Sequence, residues 1–118
     1  MKRLCYGLEW SWCETAHLYV SFIHLHYVPS AIIRIEQLYP FPKRKLDTII
    51  NNYKKANKYI WVQEEPKNMG PWFHVMDHFR SLKLKIELIS REESASPASG
   101  SSSRYHERQE KIINKVFK

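Results

Sequence analysis

The chain has 118 residues, 43% of them hydrophobic and 26% charged, with a net charge of +7. That length suits one domain, and no residue class is extreme enough for a collagen, a wholly disordered chain or a disulfide scaffold. The charge is uneven. Residues 1–31 balance Lys2 and Arg3 against Glu9 and Glu14, whereas residues 32–118 carry seventeen basic and ten acidic side chains. A basic surface attracts anions such as nucleic acid, phosphorylated cofactors or acidic proteins. The basic residues are scattered along the sequence rather than striped, which favours a solvated surface whose acidic partner is expected on a further part of the same chain. Cys5 and Cys13 are the only cysteines, too few for a zinc site or a disulfide framework, so a reduced compartment is expected.

In chain order, residues 15–35 are apolar in flavour, but His17, Ser21, His24, His26, Pro29, Ser30 and Arg34 interrupt them too often for a membrane span. No small-residue cleavage site closes the stretch, so it does not read as a signal peptide. Residues 31–38 (AIIRIEQL) read as a strand, ended by the prolines of Tyr39-Pro40-Phe41-Pro42. Residues 43–56 form a helix, with Leu46, Ile49, Ile50 and Tyr53 at i, i+3, i+4 and i+7. Residues 58–63 (KYIWVQ) are a short strand whose unbroken apolar run suits burial on both faces. After a loop at residues 67–70, Pro71 opens a second helix with Trp72, Val75, Met76 and Phe79 on one side. Residues 83–89 alternate Leu84, Ile86 and Leu88 with Lys85 and Glu87, the pattern of an edge strand. Residues 90–103 have the Ser, Ala, Pro and Gly content of a linker, and residues 104–117 a last helix with Tyr105, Ile112, Ile113 and Val116 on one face. Strands alternating with helices predict a small layered α/β sheet with flanking helices. Three secure strands bury little, so the layer is expected to lean on neighbouring domains.

Several residues are candidates for chemistry. Arg91, Ser94, Ser96, Ser99, Gly100, Ser101 and Ser102 precede the last helix, where backbone amides, hydroxyls and a guanidinium together suit a phosphate. Against that stands an ordered loop whose serines cap the helix, the favoured alternative. Glu64 and Glu65 follow a strand at the edge where α/β folds gather functional groups, yet adjacent strand residues point opposite ways, so an acid/base pair is not expected. Their expected work is to fix the next loop and contact a neighbouring domain. Tyr39, Phe41 and Trp72 are large aromatics beside prolines, expected at domain or dimer contacts. His74 and His78 are four apart on a helix, but no third ligand accompanies them, so a solvent-facing pair is expected rather than a metal site.

Three blocks, RIEQLYPFP at residues 34–42, VQEEPKNMGPW at 62–72 and SASPASGSS at 94–102, resemble one family when taken in register. They are similar to the C-terminal domain of the decarboxylating component of 2-oxoglutarate dehydrogenase. The resemblance covers residues 32–118. It implies a transketolase-like C-terminal domain that helps hold a homodimer. The enzyme it implies decarboxylates 2-oxoglutarate on thiamine diphosphate with Mg²⁺. That enzyme passes the succinyl group to a lipoyl-bearing succinyltransferase in the cytoplasmic tricarboxylic acid cycle.

It does not imply that this chain does so alone. The family's cofactor site needs a Gly-Asp-Gly stretch, an Asn and a Glu, and the only glycines here are Gly7, Gly70 and Gly100. No catalytic, cofactor or metal residue is therefore expected on this chain. Lys2-Arg3-Leu4 fits the family's opening, but residues 5–31 do not match it, and residues 9–28, with Trp10, Trp12 and three histidines, read as though out of frame. Residues 1–31 are expected to be an atypical segment before a domain at 32–118 that is incomplete at its N-terminal end. The alternative reading is a free-standing basic α/β module for phosphorylated ligands or nucleic acid.

Overall fold

The computed structural model describes residues 3–7, 19–25 and 28–117. In chain order these give β1 (Arg3–Gly7), β2 (Tyr19–Leu25), β3 (Val28–Arg34), α1 (Lys43–Asn52), β4 (Lys58–Pro66), α2 (Trp72–Ser81), β5 (Ile86–Arg91) and α3 (Ser102–Phe117). The strands form one sheet in the order β2-β3-β1-β4-β5. β1 pairs in parallel with both β3 and β4, and β4 pairs in parallel with β5. Only β2 runs antiparallel, against β3.

This order decides where the helices go. The steps from β3 to β4 and from β4 to β5 move the same way across the sheet, so crossovers of one hand put α1 and α2 on one face. Their apolar sides meet β3 and β4 there, in a core of Ala31, Ile33, Ile35, Leu46, Trp61, Trp72, Val75 and Phe79. The chain then leaves β5 and returns across the opposite face as α3, where Ile112 and Val116 pack on Ile60. β4 shows the two-sided burial that its apolar run predicts, with Ile60 facing α3 and Trp61 facing α1 and α2. β5 is the outermost strand, as its alternation predicts, with Leu84, Ile86 and Leu88 on the larger core.

The structure departs from the sequence expectation in several places, β4 running on to Pro66 and β5 lying at Ile86–Arg91 among them. The sheet has five strands where three were secure, because β1 takes the central place and β2 and β3 form a hairpin across residues whose histidines and Pro29 break the apolar pattern. The strand expected over residues 31–38 is β3 at Val28–Arg34, and its sequel to Pro42 is irregular. The first helix stops at Asn52 rather than Ala56, since Tyr53 N–H turns back to Ile50 O and Ala56 N–H to Tyr53 O. In α3 Ile113 is 53% exposed, because 3.6 residues per turn lets Ile112 and Val116 face the sheet while Ile113 falls about 100° away. Residues 8–18, part of the stretch expected to depart from the family pattern, lie outside the described residues, as do residues 26–27.

The end of α2 carries local strain. Lys83 has φ of 57°, a left-handed conformation, while Leu84 N–H reaches back to Phe79 O at 3.1 Å and Lys83 N–H to Arg80 O at 3.0 Å. That is the reverse turn usually built on glycine. A side chain costs roughly 1–2 kcal/mol there. Lys83→Gly is therefore expected to raise unfolding free energy by about 1 kcal/mol in urea titrations, and Lys83→Val to lower it.

Candidate functional site

Because β1, β3, β4 and β5 are mutually parallel, their carboxyl ends share one edge of the sheet. The three sequence blocks begin at the ends of β3 and β4 and just past β5, so the topology brings them all to that edge. In an open α/β sheet this is where ligands and partners are met.

The loop after β4 is organised from within. Gln63 is buried at 1% exposure, and its side-chain carbonyl accepts Trp61 Nε1–H at 2.9 Å. Its amide nitrogen donates to Met69 O at 2.8 Å and Pro66 O at 3.2 Å. The turn this fixes closes at Gly70, where φ is +69° and an added Cβ would sit 3.0 Å from the Glu65 Cβ. Asn68 then links this loop to the serine loop, donating from Nδ2 to Ser94 O at 3.0 Å and accepting Ser94 N–H on Oδ1 at 3.1 Å. Lys67 N–H to Arg91 O, 3.0 Å, adds a backbone bond to the same seam.

Arg91 is the hub of the serine loop. Its Nε donates to Glu64 O at 2.5 Å, one Nη to Pro97 O and the other to Ser99 Oγ at 3.2 Å. Arg108 of α3 donates to the same Ser99 oxygen at 3.2 Å. Among the expected anion residues the structure thus brings Arg91 and Ser99 together. Ser94 pairs with Asn68, Ser96 Oγ donates to Ala98 O, and Ser101 shares a hydrogen bond with Ser103. Gly100 is in the left-handed region at φ 65° with open space around it, and Ser102 is already the first residue of α3. Two adjoining clefts flank the Arg91–Ser99–Arg108 contact, of about 280 and 290 Å³. Arg108, Lys111 and Lys115 line the first, and with Arg104 they fall at i, i+4, i+7 and i+11 on α3. Basic residues scattered in sequence are therefore striped on this helix.

The expected interface residues separate. Tyr39 is 88% exposed, and Phe41 is half-buried. Glu64 is exposed, with its carboxylate held by Gln109 Nε2, while Glu65 is half-buried against Gly70. Trp72 corrects the expectation of a loop aromatic. It is the first residue of α2 and is buried at 8% exposure, because Pro71 turns the chain so that the indole enters the core. His74 and His78 are also more than a solvent-facing pair. His74 Nε2 contacts Leu38 O at 3.0 Å, and His78 stacks on Phe41 with ring centres 4.0 Å apart and planes within 5°. Together they clasp the loop after β3 to α2. Gln63, Asn68, Arg108 and Gln109 are functional-edge residues that sequence reasoning passed over. Only the position of Gln63 beside two carboxylates hinted at its work.

No group of three or more His, Cys, Asp or Glu side chains gathers among the described residues. The two aspartates of the chain, Asp47 and Asp77, lie within α1 and α2, so neither loop glycine has an adjacent aspartate for a thiamine diphosphate–Mg²⁺ cradle. The residues present do not fit that cofactor.

Two outcomes follow. Gln63→Leu strands the buried Trp61 indole N–H and removes the tie to the half-buried Met69 carbonyl, and should cost on the order of 2–4 kcal/mol in urea unfolding, with Gln63→Glu also destabilising. Burial, reinforced by nearby His74 and, less strongly, Lys43, holds the His78 pKa below its ordinary 6.5, with Asp77 opposing. The unfolded chain then binds the proton more readily, so this contribution is complete above pH 6.5 and is lost as pH falls below it. His78→Phe keeps a ring against Phe41 and should flatten the decline in urea midpoint between pH 7.5 and 5.5.

The family described as "2-oxoglutarate dehydrogenase C-terminal" matches residues 26–117. Among curated proteins, the "2-oxoglutarate dehydrogenase E1 component" of Rickettsia conorii is 43% identical over 89 residues, covering 70% of this chain and 10% of that relative. The "Oxoglutarate dehydrogenase" of Buchnera aphidicola is 45% identical over 85 residues, covering 70% of this chain and 9% of its own length. The "2-oxoadipate dehydrogenase complex component E1" of Danio rerio is 36% identical over 111 residues, covering 89% of this chain and 12% of its own. The chain thus spans about a tenth of the length of the relatives it matches. With its three blocks assembled on one sheet edge, the chain belongs to the family of 2-oxoglutarate dehydrogenase C-terminal domains.

Proposed function

We propose that this chain supplies the C-terminal, assembly-supporting domain of a 2-oxoglutarate dehydrogenase and is not catalytic alone. The complete enzyme carries out oxidative decarboxylation of 2-oxoglutarate on thiamine diphosphate and Mg²⁺ in the cytoplasm. It works as a homodimer, and passes the succinyl group to a lipoyl-bearing succinyltransferase. The observation that carries the reading is the meeting of the family's three blocks at the carboxyl edge, internally braced and without a cofactor cradle. No helix among the described residues is long and apolar enough to cross a membrane. The Danio rerio relative is named for 2-oxoadipate, one methylene longer; the bacterial relatives' names favour 2-oxoglutarate.

The docking surface follows from exposure. Tyr39 and Glu64 are presented to a neighbour, Phe41 and Glu65 support them, and Trp72 acts from beneath by seating α2. We read the domain proper as residues 32–118 and residues 1–31 as an atypical segment, although the family match begins at residue 26 and the Danio rerio relative aligns over 89% of the chain. β1 nevertheless occupies the sheet centre.

A second reading, a basic module for phosphorylated ligands or nucleic acid, draws on the stripe Arg104, Arg108, Lys111 and Lys115 and on Arg91 with the serines at 94, 96, 99, 101 and 102 around Gly100. Glu92 and Glu93 line the same cleft and weaken that reading. Strongly salt-dependent DNA binding at micromolar concentration would revive it.

The test combines the purified chain with catalytic domains of a relative that lack their own last domain. The chain alone should not consume 2-oxoglutarate, and the mixture should. Tyr39→Ala should weaken association about tenfold, read as the chain concentration for half-maximal activity. Turnover by the chain alone, or activity indifferent to its addition, would overturn the assignment.

A further inference from the structure

The side chain of Ser99 is singular in its loop. Arg91 and Arg108 each direct a guanidinium N–H to its oxygen, both at 3.2 Å. The neighbouring serine hydroxyls meet neutral partners: Ser96 the Ala98 carbonyl, Ser101 that of Ser103, and Ser94 the Ser96 backbone N–H. Two cations thus converge on one neutral acceptor. Among the described residues neither guanidinium has a carboxylate within 4 Å, since the ion pairs are Arg34–Glu36, Lys58–Glu87, Lys67–Glu93 and Lys111–Glu107. Glu64 borders the same cleft, but its carboxylate is taken by Gln109.

The two arginines are unequal, and usefully so. Arg91 is held in place by the Glu64 and Pro97 carbonyls, so it is aimed in advance. Arg108 makes only the Ser99 contact among the described residues, leaving further donors for more oxygen atoms. A clamped cation facing a cation with spare donors is a half-filled receptor for a tetrahedral dianion. A phosphate on the serine carries about −1.5 to −2 charge and three strong acceptors, and turns two hydrogen bonds from cations to a neutral oxygen into ion-paired ones.

We propose that Ser99 is a phosphorylation site whose phosphate is held between Arg91 and Arg108. Ser99 Oγ attacks the γ-phosphorus of a nucleoside triphosphate carried by a protein kinase. The Oγ–P bond forms, the P–O bond to the nucleoside diphosphate breaks, and the hydroxyl proton passes to the kinase's base. The segment can be presented to such an enzyme, because residues 92–101 have no regular structure and the residues at 95–98 and 100–103 are exposed. Once modified, the loop is tied by charge to both β5 and α3. Phosphorylation thus tightens the junction between the serine loop and the last helix.

The experiment uses the full chain with phosphoserine incorporated at position 99 and, as a control, at position 96. Phosphorus NMR is expected to show the position-99 phosphate titrating near pH 5 rather than about 6, with an ordinary midpoint at position 96. Arg108→Gln in the position-99 protein should return the midpoint to about 6, and Arg108→Lys only part of the way. Peptide mapping of the chain from its own cells should find phosphate on Ser99. An ordinary midpoint at 99, an equal shift at 96, or no phosphate on Ser99 in cells overturns the proposal. So does micromolar binding of inorganic phosphate to the unmodified chain with the same Arg108 dependence, which would assign the pair to a free anion.

Discussion

The amide of Gln63 lies in the core with 1% of its surface exposed, and the strand–loop junction after β4 is arranged around it. A polar group in such a place loses its water, so its oxygen and nitrogen must both find partners inside the protein. The oxygen takes the indole N–H of Trp61, two residues back on the same face of the strand, and the nitrogen takes carbonyls from Pro66 and Met69. One side chain therefore couples the largest buried ring of the core to the path of the loop. Rigidity spreads outward from that junction. The loop positions Asn68, Asn68 positions Ser94, and Glu64 O gives Arg91 a fixed seat.

Parallel pairing explains why such distant pieces of sequence meet. A hairpin sheet would scatter the ends of its strands over both edges. Here every crossover returns the chain to the same side before the next strand begins, so the segments leaving β3, β4 and β5 emerge together. The motifs that carry the family resemblance are these exit segments. Their residues are constrained by each other's backbones more than by burial: Asn68 must match both polar groups of Ser94, and Gly70 must accept a positive φ with Glu65 against it. Strings with such requirements are more specific than helix faces, where several apolar residues serve equally well.

That distinction sets what could be read in advance. Leu46, Val75 and Phe79 stood out as helix stripes, and Tyr59–Val62 as a strand covered twice, because apolar periodicity reports burial directly. Gln63 did not, since an uncharged polar residue at the end of an apolar run looks like the point where a strand meets water. Trp72 carried two readings, the head of the stripe with Val75, Met76 and Phe79 and a contact aromatic next to a proline, and the structure takes the first. The central place of β1 depends on pairings with residues about 25 and 55 positions away, which no local pattern encodes. The basic stripe on α3 was hidden among unrelated lysines and emerges once residues 104, 108, 111 and 115 are wound at 3.6 per turn.

The two faces of the sheet are held very differently, and this bears on where regulation can act. On the α1–α2 face, Trp61, Trp72, Phe79 and five aliphatic or small residues interlock, and apolar contact of that extent is insensitive to charge. On the other face, among the described residues, α3 buries Ile112 and Val116 against Ile60, with Ile32, Val62 and Ile89 partly covered. Among the described residues α3 is also attached by polar contacts, Gln109 to Glu64 and Arg108 to Ser99. Hydrogen bonds at a half-exposed site each contribute only about 1 kcal/mol net. A change of one or two charges there is comparable with what fixes the N-terminal half of the helix, whereas the same change over the larger core would alter little. α3 borders the edge where the loops converge, so its position and theirs are set together.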